Sequence, residues 1–247
     1  MTTKPIMSRE QAKSLTAGSA EHYTSYVGPP AMYDFMGATQ FRLLTTLGLR
    51  ETHRLLDFGC GSLRAGRLLI PYLLPGHYYG VEPNLWLIEE AIRNEVGIDQ
   101  VRIKQPTFST NADFAVDHFG VKFDYIVAQS VFSHAGRDLI TTTLRNFKNV
   151  LVPNGMIAAT FGNVDTRPSG KEFEGSGWVY PGVVDFKTET VLSLIRDAGL
   201  MGALIPWFHP HNQRWYIMAH NIDRLPSPAK YPHLSGAVLN TEIPGST

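Results

Sequence analysis

The sequence predicts an α/β fold: a three-layer sandwich in which a seven-stranded, mostly parallel sheet carries helices on both faces. Three observations lead there. Short apolar runs alternate along the chain with stretches of helical period, the pattern of successive strand-helix units. The first of these runs, Leu55-Leu56-Asp57, breaks at once into Gly59, Gly61 and Gly66 and then into a helix with apolar Ala65, Leu68, Leu69, Tyr72 and Leu73. The second run, His77 to Val81, ends in an acid, Glu82.

Composition narrows the function. With 247 residues and 43% hydrophobic content, one domain with attachments can bury a sizeable core. Lys+Arg and Asp+Glu are each 22, so the chain lacks the charge excess that steers proteins to nucleic acid or anionic lipid. One cysteine, Cys60, forms no internal disulfide, and the first ten residues lack the apolar run of a secretory signal. No stretch approaches the roughly 18 uninterrupted apolar residues of a spanning helix. These features predict a cytoplasmic protein with no nucleic-acid or membrane partner; a homodimer is the assembly considered.

Residues 1–20 are polar and without strong period, and are expected to be a loose terminus. Tyr23, Tyr26 and Tyr33 flank the breaker Gly28-Pro29-Pro30, and the segment 1–35 reads as a helical flap. Those tyrosines either close over a ligand or simply pack on the outside of the domain. A helix carrying Phe41, Leu44 and Leu47 follows and ends at Gly48, with Gln40 on its opposite side. Pro71 and Pro75-Gly76 are expected to end the helix after the glycine turn. Asn84 is expected to cap the next helix, which stops at Gly97.

Val101-Arg102-Ile103 reads as a third strand, the stretch Lys122 to Ser133 contains a fourth, with Asp124 leading into its apolar run, and Met156 to Phe161 reads as a fifth that opens after the turn Pro153-Asn154-Gly155. Gln129, Ser130, Ser133 and His134 follow the fourth strand, where open α/β sheets place their ligands. About 25 residues after Gly162 lack a period, a length that in a compact domain is usually functional, and Phe173, Trp178 and Tyr180 within them suggest a substrate wall. A helix from Thr188 to Gly199 and two closing strands, 203–205 and 214–218, complete a domain spanning 36–221. The proline-rich segment 222–247 reads as an irregular tail.

The dinucleotide fingerprint requires a glycine where this chain has Arg64. The pattern Asp57-Phe58-Gly59-Cys60-Gly61 with Gly66 beyond it, together with Glu82, instead resembles the class I S-adenosylmethionine (SAM)-dependent methyltransferases, a Rossmann-like family. The resemblance implies a last strand antiparallel to the rest and SAM as cofactor, with S-adenosylhomocysteine (SAH) as product. It places Asp57, Gly59, Cys60 and Gly61 at the amino-acid end of SAM and Glu82 on the ribose. Asp113 and Phe114 would sit at the adenine, and the flap tyrosines Tyr23 and Tyr33, with Gln40, Arg64, Gln129 and Ser130, would complete the cofactor site. The acceptor would be methylated at oxygen or nitrogen against Tyr26, Ser133, His134, Trp178 and Tyr180.

Transfer from an activated methyl needs alignment more than acid-base help: effective molarities correspond to about 7 to 11 kcal/mol, whereas a general base contributes roughly 10² to 10⁴ in rate. His134 is the candidate base, since an imidazole accepts a proton near neutral pH; the alternative is a helix-start histidine bonded to backbone. Cys60 lacks an orienting base and reads as a packing residue. His209 and His211 flank Pro210, which suits a turn better than a metal, and no metal is expected. Two other functions compete: a nicotinamide-dependent oxidoreductase, disfavoured by Arg64, and a SAM-binding subunit without catalysis.

Overall fold

A computed structural model describes residues 7–166 and 171–235. Its strands are β1 (Leu55–Phe58), β2 (Tyr78–Val81), β3 (Thr107–Ser109), β4 (Phe123–Ala128), β5 (Leu151–Gly162), β6 (Met201–Ile205) and β7 (Gln213–Ala219). They form one seven-stranded sheet in the order β3-β2-β1-β4-β5-β7-β6. β1 pairs parallel with β2, β2 with β3, and β4 with β5, while β7 runs antiparallel to both β5 and β6. The helices are α1 (Arg9–Ala12), α2 (Tyr23–Tyr26), α3 (Tyr33–Thr46), α4 (Gly66–Tyr72), α5 (Leu85–Ala91), α6 (Ile98–Lys104), α7 (Arg137–Val150), α8 (Thr188–Asp197) and α9 (Tyr231–Ser235).

Strands covered on both faces need apolar side chains throughout, and Leu55, Leu56, Ile126, Val127, Ala128 and Ile157 are fully buried. Each large aliphatic side chain so buried contributes about 1.5–3 kcal/mol. The backbone divides into two compact units, Met1–Thr45 with Arg50–Ala112, and Thr46–Leu49 with Asp113–Thr247.

Several elements depart from expectation. Residues 101–103 lie in α6, and the third strand is 107–109. A three-residue apolar run cannot distinguish helix from strand by period. Here Asp99 in the first turn and Arg102 and Lys104 in the last complement the helix dipole, and Gln105, at φ 49°, ends the helix just before Pro106. The N-terminal segment holds a helix, because Ser8 and Gln11 form a reciprocal capping box. Arg9 on that helix pairs with Asp34 and Glu95. Tyr23 and Tyr26 lie in α2.

Pro71 lies inside α4, which continues to Tyr72, and the Asn84 side chain does not cap α5. β5 begins at Leu151 and carries the Pro-Asn-Gly stretch as an irregularity, with its register against β4 shifting between Phe123 and Tyr125. Between residues 222 and 235 the tail forms short helical turns and α9, with Leu234 buried. The remainder of the tail, 236–247, lies outside the described residues, as do 1–6.

Candidate active site

In the first unit, β1 delivers Asp57 and the chain then turns sharply. Gly59 and Gly61 adopt φ of 74° and 53°, the left-handed region open to glycine at no steric cost. The amides of Gly59 and Cys60 both donate to the Val81 carbonyl (2.9 and 3.0 Å), tying the turn to the end of β2. Leu63 also lies at φ 54°, and its fully buried side chain compensates a strained backbone.

Two buried carboxylates face this turn. Asp57 accepts a hydrogen bond from the Tyr78 hydroxyl at 2.7 Å. Burial pushes its carboxyl up to about 6, and the charge on Glu82 acts the same way, against the Tyr78 bond and the Arg64 guanidinium. Glu82 Oε1 accepts from the Asn84 backbone amide (2.8 Å) and side-chain amide (2.7 Å). Its carboxyl is raised by burial, opposed by Asn84 and by the Gly61 amide.

The flap lies on this turn. A Cβ on Gly61 would come within 2.6 Å of the Val27 side chain, and Arg64 Nη1 donates to the Val27 carbonyl at 2.9 Å. Burial lowers the Arg64 pKa. Tyr26 packs edge-on to Trp86 at 5.5 Å; burial and then the charge on Glu82 raise its hydroxyl, opposed by a hydrogen bond with Asn84. Tyr23 and Tyr33 belong to a buried cluster with Leu87. The Tyr23 hydroxyl donates to Glu95 (2.7 Å) and that of Tyr33 to the Ser62 carbonyl (2.6 Å). Gln40 is buried on α3, and a Cβ on Gly80 would come within 2.9 Å of the Cys60 sulfur.

In the second unit, Asp113 Oδ1 accepts from the Ala115 amide, and Phe114 holds φ 64° with its ring 5.9 Å from Trp178. After β4 the chain is pinned by side chains from β5 and β7. The Ser130 amide donates to Thr160 Oγ1 (2.7 Å), whose hydroxyl donates to Gln213 Oε1 (2.6 Å), while Gln213 Nε2 donates to Ser133 Oγ (3.4 Å). Gln129 meets His209 at 3.2 Å, and the His211 amide donates to His209 Nδ1.

His134 ends a short turn, Phe132–His134, with Nδ1 2.6 Å from the Gly182 carbonyl. A carbonyl only accepts, so Nδ1 carries the proton and Nε2 is the basic nitrogen of the neutral ring. The segment 177–184 docks alongside through Gly136 N to Gly177 O, Val179 N to His134 O and Val184 N to Ser133 O (2.8, 2.9 and 2.8 Å). Residues 167–170 of the preceding loop lie outside the described residues.

Residues 56–157 match the family model of a methyltransferase domain. Over that stretch the chain is similar to a methyltransferase domain, and its fold is that of the SAM-dependent methyltransferases. Solved structures share the fold at low identity. Magnesium protoporphyrin IX methyltransferase (ChlM) from Synechocystis PCC 6803, with bound SAM, gives a TM-score of 0.57 at 14% identity, over 78% of this chain and 81% of that one. DesVI of Streptomyces venezuelae gives 0.56 at 15%, over 77% and 92%. The pyocyanin biosynthetic protein PhzM gives 0.57 at 12%, over 78% and 57%. A search of curated protein sequences finds no match.

The first unit fits SAM on its own chemistry. Gly59 and Gly61, at positive φ, shape the turn, and two buried carboxylates beside it, Asp57 and Glu82, favour a cationic ligand over a diphosphate. Thr160 and Gln213, buried polar residues around the segment after β4, were missed from sequence, and His209, buried beside them, was weighed there only as a metal ligand. A signal for both was present: Thr160 is a polar residue within the apolar run 156–161, and Gln213 directly precedes the run 214–218. Among the described residues, no group of three His, Cys, Asp or Glu side chains is placed to hold a metal, and no helix is long and apolar enough to cross a membrane.

Proposed function

We propose that this methyltransferase transfers the methyl of SAM to oxygen or nitrogen of a small molecule, with His134 as general base. The observation that carries the proposal is the fixed tautomer of His134, whose Nδ1–H is held by Gly182 while aromatic side chains flank the ring. SAM, when bound, supplies a methyl group activated by a positive sulfonium. Asp57 and the Gly59-Cys60-Gly61 backbone would hold its amino-acid end, Glu82 would accept from the ribose hydroxyls, and Asp113 and Phe114 would meet the adenine.

Of the flap tyrosines, Tyr26 is suited to the ribose side through Asn84, while Tyr23 and Tyr33 stabilise the flap itself. Arg64 acts as a latch on Val27 and supplies positive charge near Asp57. Gln129 and Ser130 shape the segment leading to Ser133 and His134. Residues 1–35 serve as the cap, 36–221 as the catalytic domain and 222–247 as an appended tail.

The magnesium protoporphyrin IX methyltransferase and the pyocyanin biosynthetic protein, by their descriptions, work on small molecules, and the even charge balance of this chain supports the same class of acceptor in a cytoplasmic setting. Incubation with deuteromethyl SAM and fractionated small-molecule or macromolecular extracts tests it. Label in a small-molecule fraction, reduced at least about tenfold in His134→Gln, is expected. Label confined to protein or nucleic acid, or unchanged transfer in the variant, contradicts the proposal.

A further inference from the structure

The segment 177–184 builds a specific surface around the imidazole. Its three backbone hydrogen bonds to residues 133–136, and an antiparallel bridge between Ala135 and Trp178, fix the aromatic side chains relative to His134. Trp178 lies 5.7 Å from the imidazole, and Tyr180 packs edge-on to it at 5.1 Å. The Trp178 and Tyr180 rings are inclined by only 19°, with centroids 6.4 Å apart. Phe114 backs Trp178 edge-on. Despite this packing Trp178 remains 49% exposed.

Resting on the methyltransferase reading above, we propose that the acceptor is a planar aromatic ring bearing a hydroxyl, lying along Trp178 and Tyr180 with its O–H directed at His134 Nε2. The near-parallel planes select the shape: a flat ring that stacks on one of the two lies nearly parallel to the other, which a puckered aliphatic ring does not achieve. The fixed tautomer selects the polar group. With Nδ1–H committed to Gly182, Nε2 has acceptor character, and the acceptor group complementary to it is a donor such as a hydroxyl. The hydroxyl O–H bond breaks as the Nε2–H bond forms, leaving an aryloxide beside an imidazolium. The imidazolium so formed lies 5.1 Å from the Tyr180 ring and 5.7 Å from that of Trp178, within the range of cation–π attraction.

The test needs no turnover. The full-length protein is titrated with 4-nitrophenol, whose visible band reports the aryloxide, with cyclohexanol and tetramethylammonium as controls, and with SAH separately. Saturable 4-nitrophenol binding with tryptophan quenching is expected, with an increased aryloxide band and little binding of either control. Trp178→Ala is expected to weaken the dye about tenfold or more, and Tyr180→Leu to do so to a smaller degree. His134→Gln is expected to keep the dye bound while removing the gain in aryloxide. SAH affinity is expected to be unchanged in all three. SAH binding without dye binding, equal binding of cyclohexanol or tetramethylammonium, or an unaffected Trp178→Ala would overturn this acceptor class while leaving the methyltransferase reading intact. Failure of SAH to bind would overturn that reading instead.

Discussion

The glycine turn and the segment after β4 are built by opposite means. Around the turn, Asp57, Gly59, Gly61 and Glu82 fall within 26 residues, and their roles follow from backbone conformation and burial. Around His134, residues from four distant stretches are brought together by single hydrogen bonds spanning 48 residues to Gly182 and 80 from Ser133 to Gln213. A local motif can be recognised in a sequence; an assembly of distant polar contacts cannot, and it is also where change costs the cofactor grip least.

The contrast is sharpest at Glu82. Glu82→Ala removes an ionised acceptor whose hydrogen bonds are worth about 1.5–3 kcal/mol each, so SAH affinity measured by calorimetry should fall about 100-fold, with Glu82→Gln recovering part. A change below about threefold would detach Glu82 from the cofactor.

The second test uses Asp57. Its carboxyl is raised from 3.8 to about 6 in the folded protein. The folded state therefore holds a proton between those values that the unfolded state has released, and ligand-free stability should fall as pH rises through that window. The loss is roughly 3 kcal/mol and levels off above pH about 6. Thermal melts from pH 4 to 7 should show this slope in wild type and lose it in Asp57→Asn. Saturating SAM, a cation, should stabilise the wild type more at pH 7 than at pH 5. An identical slope in the variant would remove Asp57 as its origin.

Arg64→Met breaks the latch to Val27. Faster amide exchange across residues 22–30 and about tenfold weaker SAH binding are expected, from the loss of one charged hydrogen bond. Unchanged exchange would mean that packing of Val27 on Gly61 alone holds the flap.

Gln213→Ala tests the other region and carries the smallest expected effect. It strips one partner from Thr160 and from Ser133, so kcat/KM should drop about threefold to tenfold while SAH affinity stays within about twofold. A larger effect on SAH than on turnover would erase the distinction between the regions.

These regions also mark what the sequence made legible. The order of strands and helices, the glycine turn and the acid at Glu82 were legible because each is a local pattern of period or spacing. The helix over 98–104 was mistaken for a strand because three apolar residues carry no period, whereas its charges and the Gln105-Pro106 boundary carried the answer. The capping box at Ser8 and Gln11 was present in the sequence, yet α1 gains its anchorage from Arg9 pairing with Asp34 and Glu95, which no local pattern announces. Arg64 was placed by its neighbours in sequence, but its contact is the Val27 carbonyl 37 residues away.

The account rests on the turn after Asp57 accepting a cationic nucleoside amino acid rather than a dinucleotide. Calorimetric titration of the wild-type protein with SAH, SAM and NAD(H) tests this directly. Micromolar binding of SAH and SAM with no detectable binding of NAD(H) is the predicted result; tight NAD(H) binding with SAH inert would contradict it.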